Sequence, residues 1–75
     1  MSPRLPRVTA AQVLRVLRQR GFAEVRASGS HRILRNDEGK LVTLPYHTGQ
    51  ILHPKLLQSI LRDADLSPEE LRQSL

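Results

Sequence analysis

Ser28-Gly29-Ser30-His31 is the stretch of this 75-residue chain whose residue types and spacing are best suited to chemistry. Histidine is the side chain that exchanges a proton near neutral pH. The three small residues before it form a turn that leaves backbone N–H groups and two hydroxyls open. That is the setting an anion such as phosphate needs beside a proton-transfer group. Arg26, Arg32 and Arg35 fall on the flanking segments, within reach of the same anion. On its side chain alone His31 reads first as a structural histidine, and it is the turn and the arginines that recommend it.

The other candidates are weaker. His47 reads equally well as a second proton-transfer group or as a loop histidine bonded to backbone. His53 precedes Pro54 at a helix start, where an N-cap role outweighs a functional one. Tyr46, the only tyrosine, can stack a base. Arg15 and Arg18, three apart on the outer face of the first helix, can follow a phosphate backbone, with Lys40 and Lys55 as lesser contributors. A solvated charged face is the competing reading for each of them.

No carboxylate cluster and no histidine pair at ligand spacing is present in the sequence, so no metal site and no cofactor are expected. A histidine among arginines can, without a metal, support cleavage of RNA through its own 2′-hydroxyl as one chemistry open to it. Neutral His31 would remove that proton, or protonated His31 would supply one to the leaving 5′-oxygen, while arginines and N–H groups stabilise the phosphorane. The expected product is a 2′,3′-cyclic phosphate, and DNA would survive.

Composition agrees with a polyanionic partner. The net charge is +5, ten of the twelve cations are Arg, and residues 1–35 hold eight Arg against a single Glu. Arginine's planar fork suits phosphate. The alternative is a cationic surface that serves solubility alone. Cysteine is absent, no apolar run is long enough to span a membrane, and no h-region follows the first arginines, so the expectation is a soluble cytoplasmic protein. The length predicts one small domain.

The elements that must position His31 are well punctuated. Residues 1–8, with Pro3 and Pro6 among arginines, read as a flexible basic arm. Thr9 starts a helix with a capping box to Gln12 and a staple from Val8 to Val13. Ala10, Val13, Leu14 and Leu17 make its buried stripe, and Gly21-Phe22 ends it in a Schellman turn. Strands follow over residues 23–27, 31–35 and 41–44, joined by the Ser28-Gly29 turn and by a loop over residues 36–40, with Pro45 closing the third. His53-Pro54 opens a second helix whose apolar face is Leu57, Ile60, Leu61 and Ala64. Ser67-Pro68-Glu69-Glu70 caps a short last helix. The order gives an α+β domain, α-β-β-β-α, with a three-stranded antiparallel sheet, two helices on one face and a short C-terminal helix, the arrangement of double-stranded RNA-binding domains. One question stays open: if Ile33 faces the helices, His31 lies at the rim of the covered face, and if Leu34 does, His31 lies on the open face.

The helix ending at Gly21-Phe22, the strand opening with Gly29-Ser30-His31 and the Pro45-Tyr46-His47 that follows the next strand resemble the HicA family, over roughly residues 9–72. The family comprises small mRNA-cleaving toxins of bacterial toxin–antitoxin pairs. The resemblance implies the same double-stranded-RNA-binding-domain-like fold, a catalytic histidine at His31, and a histidine after the third strand at His47. It also implies mRNA as substrate, a HicB-like antitoxin as partner, and contact with DNA only through the complex with that antitoxin. The chain departs from the family where Asp65 stands in place of the usual Gly, where Tyr46 replaces a frequent basic residue, and in using Arg in place of Lys. Two rival functions fit the same composition: a non-catalytic double-stranded RNA-binding module, which would not need His31, and an adaptor whose arginines meet an acidic protein.

Overall fold

The computed structural model describes residues 5–75. Its elements are α1 (Ala10–Gln19), β1 (Ala23–Ser28), β2 (His31–Arg35), β3 (Leu41–Pro45), α2 (Pro54–Ala64) and α3 (Pro68–Ser74). The strands form one antiparallel sheet in the order β1-β2-β3. The α+β arrangement expected from the sequence is therefore the one observed, with α3 appended.

Each helix starts and stops where its own side chains dictate. At Thr9 the hydroxyl accepts from the Gln12 N–H at 3.3 Å while Gln12 Oε1 accepts from the Thr9 N–H at 2.8 Å, a reciprocal capping box. At the other end of α1, Gly21 takes φ +92, which lets the Phe22 N–H donate to the Leu17 carbonyl at 3.0 Å and the Gly21 N–H to Arg18 at 3.1 Å. His53 caps α2 through Nδ1, which accepts from the Lys55 N–H at 3.1 Å. Asp65 adopts the left-handed conformation that ends α2, with φ 56. Its carboxylate meets Lys40 Nζ at 3.1 Å, tying the β2–β3 loop to the helix end. Ser67 and Glu70 make the second capping box, and Arg20 reaches from α1 to Glu70 and Ser74.

The core lies between the helices and one face of the sheet. Val13, Val16 and Leu17 of α1, Leu57, Ile60 and Leu61 of α2, and Leu71 of α3 meet Leu34, Val42 and Leu44 of the sheet, all buried. Of the expected basic arm, residues 1–4 lie outside the described residues. Within 5–8, Leu5 packs against the core, Val8 is buried, and the Val8 carbonyl accepts from the Leu52 N–H at 2.8 Å. No helix among the described residues is long and apolar enough to cross a membrane.

Leu34 is fully buried and Leu41 is 56 % exposed on the other side of the same sheet. Leu34→Ala is expected to cost about 2–5 kcal/mol in urea denaturation, and Leu41→Ala less than about 0.5 kcal/mol. The Ser67 N–H donating to the Glu70 carboxylate, aided by the Ser67 hydroxyl and Arg20, holds the Glu70 pKa below its ordinary value of 4.5. Its folded-state pKa being the lower, Glu70 contributes stability that is present above about pH 4.5 and lost as pH falls through the folded value. The difference in urea midpoint between the parent and Glu70→Gln is expected to shrink over that acidic range.

Candidate active site

The face on which His31 lies follows from which apolar residue of β2 is buried. Leu34 points into the core, and its partner on β3, Val42, is buried with it. Alternation along the strand then turns Arg32 and Ser30 toward the helix side and His31, Ile33 and Arg35 toward the open face. His31 is accordingly exposed.

Cross-strand register supplies its neighbours. Ser28 of β1 lies opposite His31 on one side and Pro45 of β3 on the other. The Tyr46 N–H donates to the Ser30 carbonyl at 2.6 Å, so the next pair, His31 with Pro45, belongs to the non-hydrogen-bonded class in which side chains stand closest. Pro45 thus keeps its place in the strand, because the N–H it lacks would have pointed away from β2. Gly29 and Ser30 form the two-residue turn between β1 and β2. Gly29 has φ +58 and Ser30 does not have positive φ, the pattern of a II′ hairpin.

A β-bulge sets which side chains join His31. The register shifts between Glu24, paired with Leu34, and Arg26, paired with Ile33, so Val25 is the extra residue. Without it, the register of Ala23 and Glu24 would continue, putting Arg26 opposite Arg32 on the covered face and Ala27 opposite His31. With it, Ser28 stands directly beside His31 and Arg26 stands diagonally from it. Nothing in the alternation of residues 23–27 announces the insertion.

The sequence-level candidates therefore separate into groups. Ser28, His31, Arg26 and Arg35 share the open face, with the Gly29-Ser30 turn at its end. Arg32 lies on the other face, its Nη1 donating to Glu24 Oε1 at 3.2 Å and its Cζ 4.2 Å from the centre of the Tyr46 ring. Arg18 approaches the same Glu24 oxygen at 3.7 Å from α1. Arg15 is exposed on α1. Neither Arg15, Arg26 nor Arg35 is in an ion pair among the described residues. His47 is exposed in the loop after β3, two residues beyond Pro45, and its carbonyl accepts from the Gln50 N–H at 3.2 Å. Lys55 lies in the first turn of α2, and Lys40 is held by Asp65. Among the described residues no three His, Asp or Glu side chains come together in a group that could hold a metal ion.

Glu24 is the residue whose importance the sequence reading passed over. The signal was present: it is the one carboxylate among eight arginines in the first 35 residues. It takes up Arg18 and Arg32 and leaves the arginines of the open face without a carboxylate partner.

A Cβ added at Gly29 would meet no atom within 4 Å. Gly29→Ala is therefore expected to keep the fold with no clash and to lose about 1–3 kcal/mol, from backbone strain at positive φ, as read by urea denaturation with an unchanged amide NMR spectrum outside the turn.

Comparison with known proteins gives one clear result. The family model described as the HicA toxin of bacterial toxin-antitoxin matches residues 10–66, from the first residue of α1 to the residue after the α2 cap. No curated protein matches the chain. The match takes in both long helices, all three strands and the hairpin that carries His31, well over half of the sequence, and on that extent the chain belongs to the HicA toxin family.

Proposed function

We propose that the chain is the toxin of a type II toxin–antitoxin pair and acts as a metal-independent endoribonuclease on mRNA in the cytoplasm, stopping translation and growth until a HicB-like antitoxin neutralises it. The observation that carries this reading is the open sheet face. There an exposed His31 stands beside Ser28 and diagonal to Arg26, with no carboxylate pairing either Arg26 or Arg35 among the described residues. Membership in the HicA family supports the toxin role.

The chemistry follows from those groups. A phosphodiester seated over the Gly29-Ser30 turn meets the Ser28 hydroxyl and the Arg26 guanidinium, and both favour the extra negative charge of the phosphorane. Neutral His31 takes the proton of the 2′-hydroxyl. The 2′-oxygen bonds to phosphorus, the bond from phosphorus to the 5′-oxygen breaks, and that oxygen leaves with a proton from solvent or from an acid. His31 in its protonated form can itself be that acid, and His47, on the loop that leaves β3, is the other histidine near this end of the sheet. Arg35, two rungs farther along the open face, is suited to a neighbouring phosphate of the strand. The arginine surplus of this face also suits an antitoxin that presents carboxylates to it.

Purified protein is expected to cut RNA, leaving 2′,3′-cyclic phosphate ends, and to leave DNA of the same sequence intact. His31→Ala is expected to slow cleavage by about 100-fold or more while still binding RNA. Expression of the parent would arrest growth with loss of mRNA, and expression of His31→Ala would not. Cleavage by His31→Ala at the parent's rate would overturn the assignment of His31. Equal RNA binding by both proteins with no cleavage by either would make the chain a binding module.

A further inference from the structure

The helix-side edge of the sheet carries a second arrangement that the open-face site does not use. Among the described residues there is one cation–π stack, with Arg32 Cζ 4.2 Å from the centre of the Tyr46 ring. The ring packs against the core and carries the guanidinium on one face. Glu24 Oε1 holds the guanidinium from the side at 3.2 Å and reaches Arg18 Nη2 at 3.7 Å. The Arg32 side chain is still 37 % exposed and that of Arg18 59 %. Ion pairs this open to water add little stability, so holding three long side chains in one geometry gains the fold little. What the geometry does provide is a flat, cationic surface fixed in position.

That surface stands at the end of the sheet where the Gly29-Ser30 turn lies, because the Tyr46 N–H donates to Ser30, the residue before His31. An RNA strand whose phosphate rests on the turn beside His31 brings a neighbouring nucleotide around the sheet end toward Arg32. We propose that Arg32, backed by Tyr46 and steadied by Glu24, is a stacking platform for one unpaired nucleobase next to the cleaved bond. The base lies on the outer face of the guanidinium and extends the stack begun by the tyrosine ring. Arg18, more loosely held and more exposed, takes the phosphate of that nucleotide. The ligand is thus single-stranded RNA, since a base inside a duplex offers no free face. A purine is favoured over a pyrimidine through its larger ring area. The platform rests on the nuclease reading for its substrate, but its own readout does not depend on cleavage.

Tyr46 is the only tyrosine and the chain has no tryptophan, so its intrinsic fluorescence reports on this ring alone. The full chain carrying His31→Ala is titrated with a fluorescently labelled single-stranded oligoribonucleotide for anisotropy, and with the unlabelled purine and pyrimidine versions for tyrosine emission. Tyrosine emission is expected to change and to saturate at the same RNA concentration as the anisotropy. Arg32→Lys keeps the charge and removes the plane. It is expected to weaken purine-RNA binding by at least about five-fold and to level the purine preference, with circular dichroism unchanged. Tyr46→Leu, which keeps an apolar body against the core, is expected to do the same. RNA binding that leaves tyrosine emission unaltered, or Arg32→Lys that binds like its parent, would overturn the platform whether or not the unmutated chain cleaves RNA. A saturating tyrosine response without cleavage by the unmutated chain would uphold the platform and sink the nuclease reading instead.

Discussion

Burial of Leu34 decides what every other residue of β2 does. A strand has two faces, and one residue committed to the core commits the rest by alternation. Leu34 with Val42, and Leu44 in line with Arg32, close the helix side of the sheet. His31 is thereby put in water, Arg32 is put against Tyr46, and Arg35 is put on the same face as His31. The bulge at Val25 then brings β1 into agreement, so that Ser28 and Arg26 are presented beside the histidine while Glu24 stays with Leu34 on the other side. One apolar side chain and one inserted residue together sort a basic segment onto two surfaces.

Charge sorting depends on the same constraint. The first 35 residues carry a single carboxylate, and its position opposite Leu34 directs it to arginines of the helix side. On the open face, Arg26 and Arg35 keep their full attraction for anions. Glu24 pairs with Leu34 on the face turned away from His31, and so it does not compete with an anion for these cations. Electrostatic availability on the open face is therefore a product of strand register as much as of composition.

Most of the fold was legible in the sequence because its boundaries are written in local chemistry. Thr9 with Gln12, Gly21 with Phe22, Pro54 after His53, and Ser67 with Glu70 each act within a few residues, and each element begins or ends there. The segment 31–35 was legible for the same reason, and the hairpin turn to within one residue: it falls at Gly29-Ser30, one place after the expected Ser28-Gly29, because Ser28 still pairs with His31. The face of β2 was not, because Ile33 and Leu34 are both apolar and only the packing of two distant helices chooses between them. The bulge was hidden because residues 23–27 alternate acceptably in either register, and the shift shows only against β2. The separation of Arg32 from Arg26 was lost with it, since that needs the register, whereas the separation of Arg32 from Arg35 follows from alternation along β2 alone. The role of Glu24 was hidden for a related reason: its partners Arg18 and Arg32 lie on two other elements.

The two margins of the sheet also shape how the molecule keeps company with its own kind. A three-stranded sheet leaves two outer strands whose backbone groups can recruit further strands from neighbouring molecules. On β3 the outward-facing position at Pro45 has no N–H to give, and on β1 the insertion at Val25 interrupts the even spacing that a docking strand would need. The bulge that arranges the arginines and the proline that flanks the histidine therefore blunt both margins against runaway polymerisation. Neither margin offers the even row of free N–H and C=O groups on which a further strand docks.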